Sequence, residues 1–248
     1  AFVRSAHEGS SGLLPAMATA TQGTAMRAFA AAVLCGTMLT VSAQDKARVL
    51  RFVPWFGNHP LVLNADEKLP DGTPVRVTTF RFYAGVPVVN GDAQANLLPF
   101  DYQLVDAEDT ASWAVSIPRS TSPFVHLGVD SLTNASGAFG GDLDPIKGMY
   151  WAWNSGYINL KLEGSSAVSP YASREFELHL GGYLPPYATA QRVVLPEPVT
   201  DDMVVRVDIL PLLEAADVRT KCNVMSPGDA AVRLSRVAAM MFRPDVER

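Results

Sequence analysis

Apolar and polar residues alternate with a period of two along several short segments of the chain. These segments are 49–53, 75–82, 124–129, 158–163, 175–180 and 205–209. Such alternation is typical of a strand that packs one face on the core and turns the other toward solvent. The pattern therefore predicts half-buried antiparallel strands over most of the chain.

Clusters of turn-forming residues separate the alternating segments. Examples are Pro70-Asp71-Gly72 and Gly140-Gly141-Asp142. The chain shows no repeated succession of strand and helix, which is the pattern of a parallel α/β fold. Many short strands joined by turns favour an all-β antiparallel β-sandwich, with an open barrel as the alternative architecture.

The C-terminal part of the chain differs, because its pattern predicts a helix. Ser226 is placed to cap the helix, Pro227 to occupy its first position, and Asp229 to lie in its first turn. The apolar residues that follow fall on one helical face, and they are Ala230, Leu234, Val237, Ala238 and Met241. We therefore expect one C-terminal helix that packs on a sheet.

Composition and charge exclude several classes of function. The 248 residues are 48% hydrophobic and 18% charged, with a formal net charge of −5 and no basic run, so no nucleic-acid partner is expected. Two cysteines cannot build a disulfide-dense scaffold or a four-thiolate zinc site. The signatures of P-loop, dinucleotide-binding, zinc-protease and serine-hydrolase enzymes are absent from the sequence. These observations favour a binding protein over an enzyme.

The N-terminal region has the pattern of a secretory signal peptide. Met26-Arg27 precedes the apolar run 28–40, and small residues occupy the −3 and −1 positions of a cleavage site after Ala43. The run is too short to span a bilayer, so no membrane span is expected. We interpret residues 26–43 as a signal peptide of a periplasmic or secreted protein and residues 1–25 as a non-native upstream extension. Residues 44–248 then form a single domain, and lipid attachment at Cys35 is a minor alternative.

The middle of the chain contains an unusual run of special residues. It comprises GVDS at 128–131, LDP at 143–145 and GMYWAWNSGY at 148–157, with FELHLGG at 176–182 and VMSPG at 224–228 further on. This combination resembles the MbnP-like family, the periplasmic copper-binding proteins associated with methanobactin systems. The resemblance extends from about residue 48 to residue 242. It implies a secreted β-sandwich that binds copper, and a thiolate ligand would favour the Cu(I) state.

For some members of that family, the resemblance also implies a di-haem peroxidase-like partner that oxidises a tryptophan to kynurenine. Ring opening exposes an aniline-type amine that can bind a metal, whereas an indole nitrogen has no free lone pair. Trp151 and Trp153 would point to the same face of a strand, and both positions remain candidates for the oxidised residue. The alternative is that both are hydrophobic wall residues.

Three residues are candidate copper ligands. His179 lies on the polar side of an apolar strand and matches the histidine of the family's HLGG motif, although a hydrogen-bonded surface histidine would fit the same pattern. Cys222 stands where the resemblance implies a histidine before VMSPG, so it is either a soft ligand for Cu(I), a buried inert thiol, or a sign that copper binding is lost. His59 is a weaker candidate, and His126 is interpreted as structural. Met225 could assist a copper site or belong to the core.

Oxygen-bearing side chains in the middle segment suggest a calcium site as a further possibility. They are Asp130, Asn134, Asp142 and Asp144. Carboxylate and amide oxygens are ligands for Ca²⁺, but the spacing matches no EF-hand, and such residues also cap turns.

Two other functions remain open at this point. Tyr150, Trp151, Trp153 and Tyr157 could form an aromatic platform of a carbohydrate- or surface-binding module that needs no metal. A copper oxidoreductase is the other alternative, although the sequence shows no recognisable catalytic triad or carboxylate pair. We expect a protein without enzymatic activity that binds copper for sequestration or delivery.

Overall fold

The computed structural model describes residues 47–88, 100–118, 124–154, 156–195, 201–220 and 222–245. The predicted upstream extension, the predicted signal peptide and Cys35 lie outside these ranges. Within them, none of the helices combines the length and the hydrophobicity that crossing a membrane requires.

Strands are the predominant secondary structure of the described chain, and three short α-helices interrupt them. The strands are β1 (Arg48–Phe56), β2 (His59–Pro60), β3 (Glu67–Lys68), β4 (Pro74–Pro87), β5 (Phe100–Asp106), β6 (Ala114–Ile117), β7 (Phe124–Leu127), β8 (Tyr150–Trp151), β9 (Gly156–Ser165), β10 (Glu175–Gly181), β11 (Gln191–Val194), β12 (Asp202–Asp208), β13 (Asn223–Val224) and β14 (Phe242–Pro244). The helices are α1 (Ser131–Ala135), α2 (Leu210–Ala216) and α3 (Asp229–Ala239). The predicted all-β fold with a C-terminal helix is confirmed.

The strands form a smaller and a larger sheet. The smaller sheet has the order β14-β12-β1-β2, and β6 also pairs with β1. The larger sheet has the order β11-β7-β4-β9-β10-β13, with β3 and β5 paired to β4 and β8 paired to β9. Two pairs, β1 with β12 and β10 with β13, are parallel rather than antiparallel. Alternation reports which face a residue occupies and carries no information about strand direction, so it did not predict these pairs.

The main hydrophobic core is formed by the inward-facing side chains of both sheets. Phe52 of β1, Phe82 of β4 and Phe242 of β14 meet edge to face, with ring centroids 5.3–5.8 Å apart. In β9 and β10 the core residues are Leu160, Leu162, Phe176, Leu178 and Leu180. Burying each such side chain contributes roughly 1.5–3 kcal/mol, so this alternation is what fixes the face of every strand.

A second hydrophobic cluster forms where the segment 129–151 covers the outer face of the larger sheet. Tyr83 follows the core residue Phe82 in β4 and so points outward, where its ring meets Tyr157 edge to face at 5.8 Å. The Tyr157 hydroxyl donates to the carbonyl of Leu143 and accepts from the backbone N–H of Phe139. The loop that carries Phe139 and Leu143 is thereby fixed on the sheet, against β4 and β9.

The helices depart from expectation in two respects. Helix α3 begins at Asp229 with Gly228 as its N-cap, so the prediction of Ser226 as the cap was wrong. Its inner side includes Leu234 and Ala238, as predicted from the periodicity. Helix α2 was not predicted, since its N-cap, Ile209, offers no capping side chain.

Candidate metal centre

His179 lies near the middle of β10 with its side chain on the outer face of the larger sheet. Its neighbours Leu178 and Leu180 both point into the main core, and alternation therefore turns the imidazole the other way. The residue is nevertheless only 5% exposed. A polar ring buried outside the core requires hydrogen-bond partners or a ligand.

Two carboxylates accompany this histidine because of the strand register. Glu163 in β9 lies directly opposite Glu177 in β10, and His179 follows two residues later on the same face. The ligand atoms of these three residues lie within 4.8 Å of one another. Among the described residues, no other group of three or more His, Cys, Asp or Glu side chains is close enough to hold a metal ion.

The two nitrogens of the His179 ring differ in their surroundings. Nε2 lies 2.7 Å from Oε1 of Glu163, whereas Nδ1 is buried and has no hydrogen-bond partner. A carboxylate that accepts from Nε2–H fixes the tautomer in which Nδ1 carries a free lone pair. Metal-binding histidines in proteins commonly have this arrangement, with the second nitrogen held by a carboxylate.

Glu163 is kept ionised by its neighbours. The hydrogen bond with His179 lowers the pKa of the Glu163 carboxyl to about 2, against the opposing effect of burial, and Lys161 and Thr79 lower it further. The ammonium of Lys161 lies 3.4 Å from Oε1 of Glu163. The Glu163 carboxylate is therefore ionised at neutral pH.

Glu177 is positioned by the edge strand β13. The side-chain amide of Asn223 donates to Oε2 of Glu177 at 3.5 Å, and its oxygen accepts from the Glu177 backbone N–H at 3.1 Å. One imidazole and two carboxylates form a nitrogen- and oxygen-rich set, which suits Cu²⁺ or Zn²⁺ better than the soft Cu⁺ ion.

The comparisons with known proteins agree with this fold. The sequence matches the MbnP family over residues 46–226, which is most of the chain. The chain belongs to the MbnP family. The structure of MbnP from Methylosinus trichosporium shares its fold, with a TM-score of 0.52 at 14% identity, over 75% of this chain and 86% of that chain. No curated protein matches the sequence.

In this MbnP-family chain, Cys222 does not lie with His179. Its side chain is fully buried in the main core, where Sγ lies 3.7 Å from the carbonyl oxygen of Glu175 and from Oγ of Ser169. The next residue, Asn223, is the one that turns outward to Glu177. Cys222 and His179 therefore face opposite sides of the larger sheet, and the Cys222 thiol does not reach the candidate centre.

The other predicted ligands also lie apart from His179. His59 belongs to the smaller sheet, where its 43% exposed side chain stacks on Phe56 and lies 3.5 Å from a carboxylate oxygen of Glu67. His126 stacks on Phe100 at 4.5 Å, and its Nδ1 lies 3.0 Å from the carbonyl oxygen of Gly128, an arrangement that fits a structural role. Met225 is exposed rather than packed in the core.

The two tryptophans of the motif occupy contrasting environments. Strand β8 ends at Trp151, so the expectation that both tryptophans lie in one strand was wrong. Trp151 is 5% exposed and Trp153 is 67% exposed, yet their ring centroids are only 5.6 Å apart. The Trp151 ring covers Gly181, where an added Cβ would lie 2.6 Å from its Cζ3 atom. Gly181 lies two residues beyond His179 in β10, so the indole packs beside the candidate centre.

The predicted aromatic platform is mostly internal. Tyr157 and Trp151 belong to the second hydrophobic cluster, with Tyr150 packed against it, and Trp153 alone of the four is largely exposed. A sugar ring has no continuous aromatic surface to stack on at these positions.

The predicted calcium ligands serve as caps and braces within their own loops. Asp130 caps α1 and also accepts hydrogen bonds from the hydroxyls of Tyr102 and Thr133. The side-chain oxygen of Asn134 accepts from the backbone N–H of Tyr157. Asp142 accepts from the backbone N–H of Leu104, and Asp144 accepts from that of Ile146. Among the described residues, none of these three aspartates belongs to a group that is close enough to hold a metal ion.

Sequence reasoning proposed His179 as a candidate ligand and missed the two carboxylates that lie beside it. The alternation had already placed Glu163 and Glu177 on the polar side of their strands. A hairpin register for β9 and β10 would have brought both residues to His179, and that register is the signal that could have found them.

Proposed function

We propose that this protein is exported and binds one copper ion at His179, for sequestration or delivery rather than catalysis. The observation that carries the proposal is the buried Nδ1 atom, which has no partner while Nε2 is held by an ionised carboxylate. Membership of the MbnP family supports copper as the metal. The apolar segment 28–40 supports export.

The donor set on this face fits a divalent copper ion. His179 supplies an imidazole nitrogen, Glu177 a carboxylate, and Glu163 either a further ligand oxygen or the acceptor that orients the ring. The net negative charge that Glu163 and Glu177 place there offsets the charge of the ion, and Lys161 lowers the affinity because it is a competing cation. These carboxylates favour Cu²⁺ over the Cu⁺ state that a Cys222 ligand would have favoured.

We further propose that a di-haem peroxidase-like partner acts on the Trp151–Trp153 pair. Trp153 exposes most of its indole and is accessible to a partner's surface. Trp151 packs over Gly181 next to His179, so a ring-opened product at Trp151 would place an aniline-type amine near the copper ligands.

Metal analysis and a copper titration of the full chain test the proposal. We expect about one copper per chain, and loss of that copper in His179→Ala. His59→Ala is the matched control, since it removes an exposed histidine from the other sheet and leaves the stoichiometry unchanged. Intact-mass measurement on protein exported by its native host tests the tryptophan oxidation separately. Full copper binding in His179→Ala would refute the assignment.

A further inference from the structure

The Trp151–Trp153 pair connects the protein surface with a buried position. The exposed fraction falls from 67% at Trp153 to 5% at Trp151, although the two residues are separated by one position in sequence. Their rings are tilted by 42° with centroids 5.6 Å apart, which places the two indoles in direct packing contact. Electron exchange is fastest between aromatic rings in contact, because electronic coupling decays steeply with distance.

The inner end of the pair lies beside the candidate metal centre. Trp151 packs against Gly181, and its neighbour on the same side of β10 is His179. Successive residues on one face of a strand are roughly 7 Å apart, so the indole and the imidazole are adjacent positions of the sheet surface.

Two buried phenols of the second hydrophobic cluster, Tyr157 and Tyr83, cannot easily take over the oxidised state from Trp151. Burial raises the pKa of Tyr157 and of Tyr83, and both hydroxyls donate to backbone carbonyls, those of Leu143 and Asp142. A phenol must release its proton when it is oxidised, and a carbonyl oxygen is a poor base for that proton. An indole can lose one electron without losing a proton at the same moment.

Another partly buried tryptophan of the described chain is electrostatically different. The guanidinium of Arg206 lies 3.9 Å above the ring of Trp55. A fixed cation at that distance opposes a positive charge on the ring, so oxidation of Trp55 is disfavoured relative to the Trp151–Trp153 pair.

We propose that Trp153 and Trp151 form a two-member electron relay between the protein surface and the His179 centre. An external one-electron oxidant takes an electron from Trp153, and Trp151 then supplies an electron to Trp153. The net change is reduction of the oxidant by one electron and formation of a radical cation on Trp151. The relay deepens the proposed function, on which its physiological purpose rests, while the electron transfer itself needs no bound metal.

Photo-oxidation of the metal-free full chain tests the relay. A photogenerated ruthenium(III) tris-bipyridine complex serves as the one-electron oxidant, and peptide mass spectrometry after brief illumination locates the oxidised indoles. We expect oxidation at the buried Trp151 in the parent chain. Trp153→Phe should lower the yield at Trp151 severalfold, because phenylalanine is too hard to oxidise to act as a relay.

Matched variants separate a relay from simple exposure. Trp55→Phe also removes a tryptophan, and it should leave the yield at Trp151 unchanged. An equal or higher yield at Trp151 in Trp153→Phe would show that Trp153 only shields its neighbour, and the relay would then be rejected. Circular dichroism verifies that each variant is folded. Because the measurement uses no copper, a failed copper titration with an intact relay would overturn only the proposed function.

Discussion

Glu163 lies 2.7 Å from Nε2 of His179 across two paired strands of the larger sheet. Both residues are in the interior of regular strands, where the ladder of backbone hydrogen bonds fixes their positions. The free Nδ1 atom is therefore presented by rigid backbone rather than by a loop. Such placement limits the reorganisation that a metal would otherwise require on binding.

The role of Glu163 is tested by Glu163→Gln. The amide keeps the shape of the side chain but loses the charge that holds the imidazole, so copper affinity should fall about 10–100-fold. A competition titration against a chelator of known affinity measures the change. Glu175→Gln is the matched control, since Glu175 is an exposed end of the same strand. Equal affinity in Glu163→Gln and in the parent chain would remove Glu163 from the centre.

Cys222→Ala is expected to leave copper affinity unchanged, because the thiol faces the core and not His179. The substitution should lower the free energy of unfolding by about 1–2 kcal/mol through the lost packing of one sulfur atom. Chelator competition and urea unfolding give the two values. A large loss of copper affinity in a folded variant would contradict the placement of this residue.

Gly128 is expected to be among the least replaceable glycines of the motif. It has φ +98°, and an added Cβ would lie 2.4 Å from Cγ of Asn159, whose amide oxygen accepts from the Val129 backbone N–H. Gly137 has nearly the same φ, +101°, with open space around it. Gly137→Ala should cost about 1–2 kcal/mol from the left-handed backbone alone, and Gly128→Ala clearly more in urea unfolding. Similar losses in the two variants would mean that the contact with Asn159 relaxes without cost.

Asp130 is expected to make stability depend on pH in the acid range. Partial burial raises the pKa of its carboxyl, but hydrogen bonds from Thr133, Tyr102 and the Leu132 backbone together hold it below the ordinary value of 3.8. A carboxyl with a depressed pKa in the folded state stabilises the fold above its unfolded pKa, and that contribution is lost as the pH falls below about 3.8.

The variant Asp130→Asn retains a residue that can cap α1 but removes the charge. We expect it to be less stable at neutral pH by about 1–3 kcal/mol, and its stability should depend less on pH in the acid range than that of the parent chain. Urea midpoints recorded from neutral to acid pH measure both effects. Parallel curves for the two proteins would assign the acid dependence to other carboxyls.

Local patterns were sufficient for the strands that carry the candidate centre. The alternation of Leu160 and Leu162 with Lys161 and Glu163 predicted both the existence of β9 and the polar character of its outer face. The start of α3 was predicted two residues early, because a serine followed by proline fits a cap as well as the extended Gly228 does. A capping pattern indicates roughly where a helix begins but does not determine its first residue.

Pairings between distant segments could not be predicted in the same way. The opposition of Glu177 to Glu163 depends on the register of β9 and β10, and the burial of Cys222 depends on a parallel contact of β13 with β10. These relationships are properties of the assembled sheet and leave no periodic trace in either segment alone.

The order of strands in the smaller sheet has a consequence for how this chain acquires its structure. β1 begins the described domain, while its parallel partner β12 and the next strand β14 come near its end. One hydrogen-bonding edge of β1 therefore pairs with a strand that lies more than 150 residues further along the sequence. Pairing across such a separation slows folding. The smaller sheet therefore cannot be completed until β12 and β14, near the end of the described domain, are available for pairing.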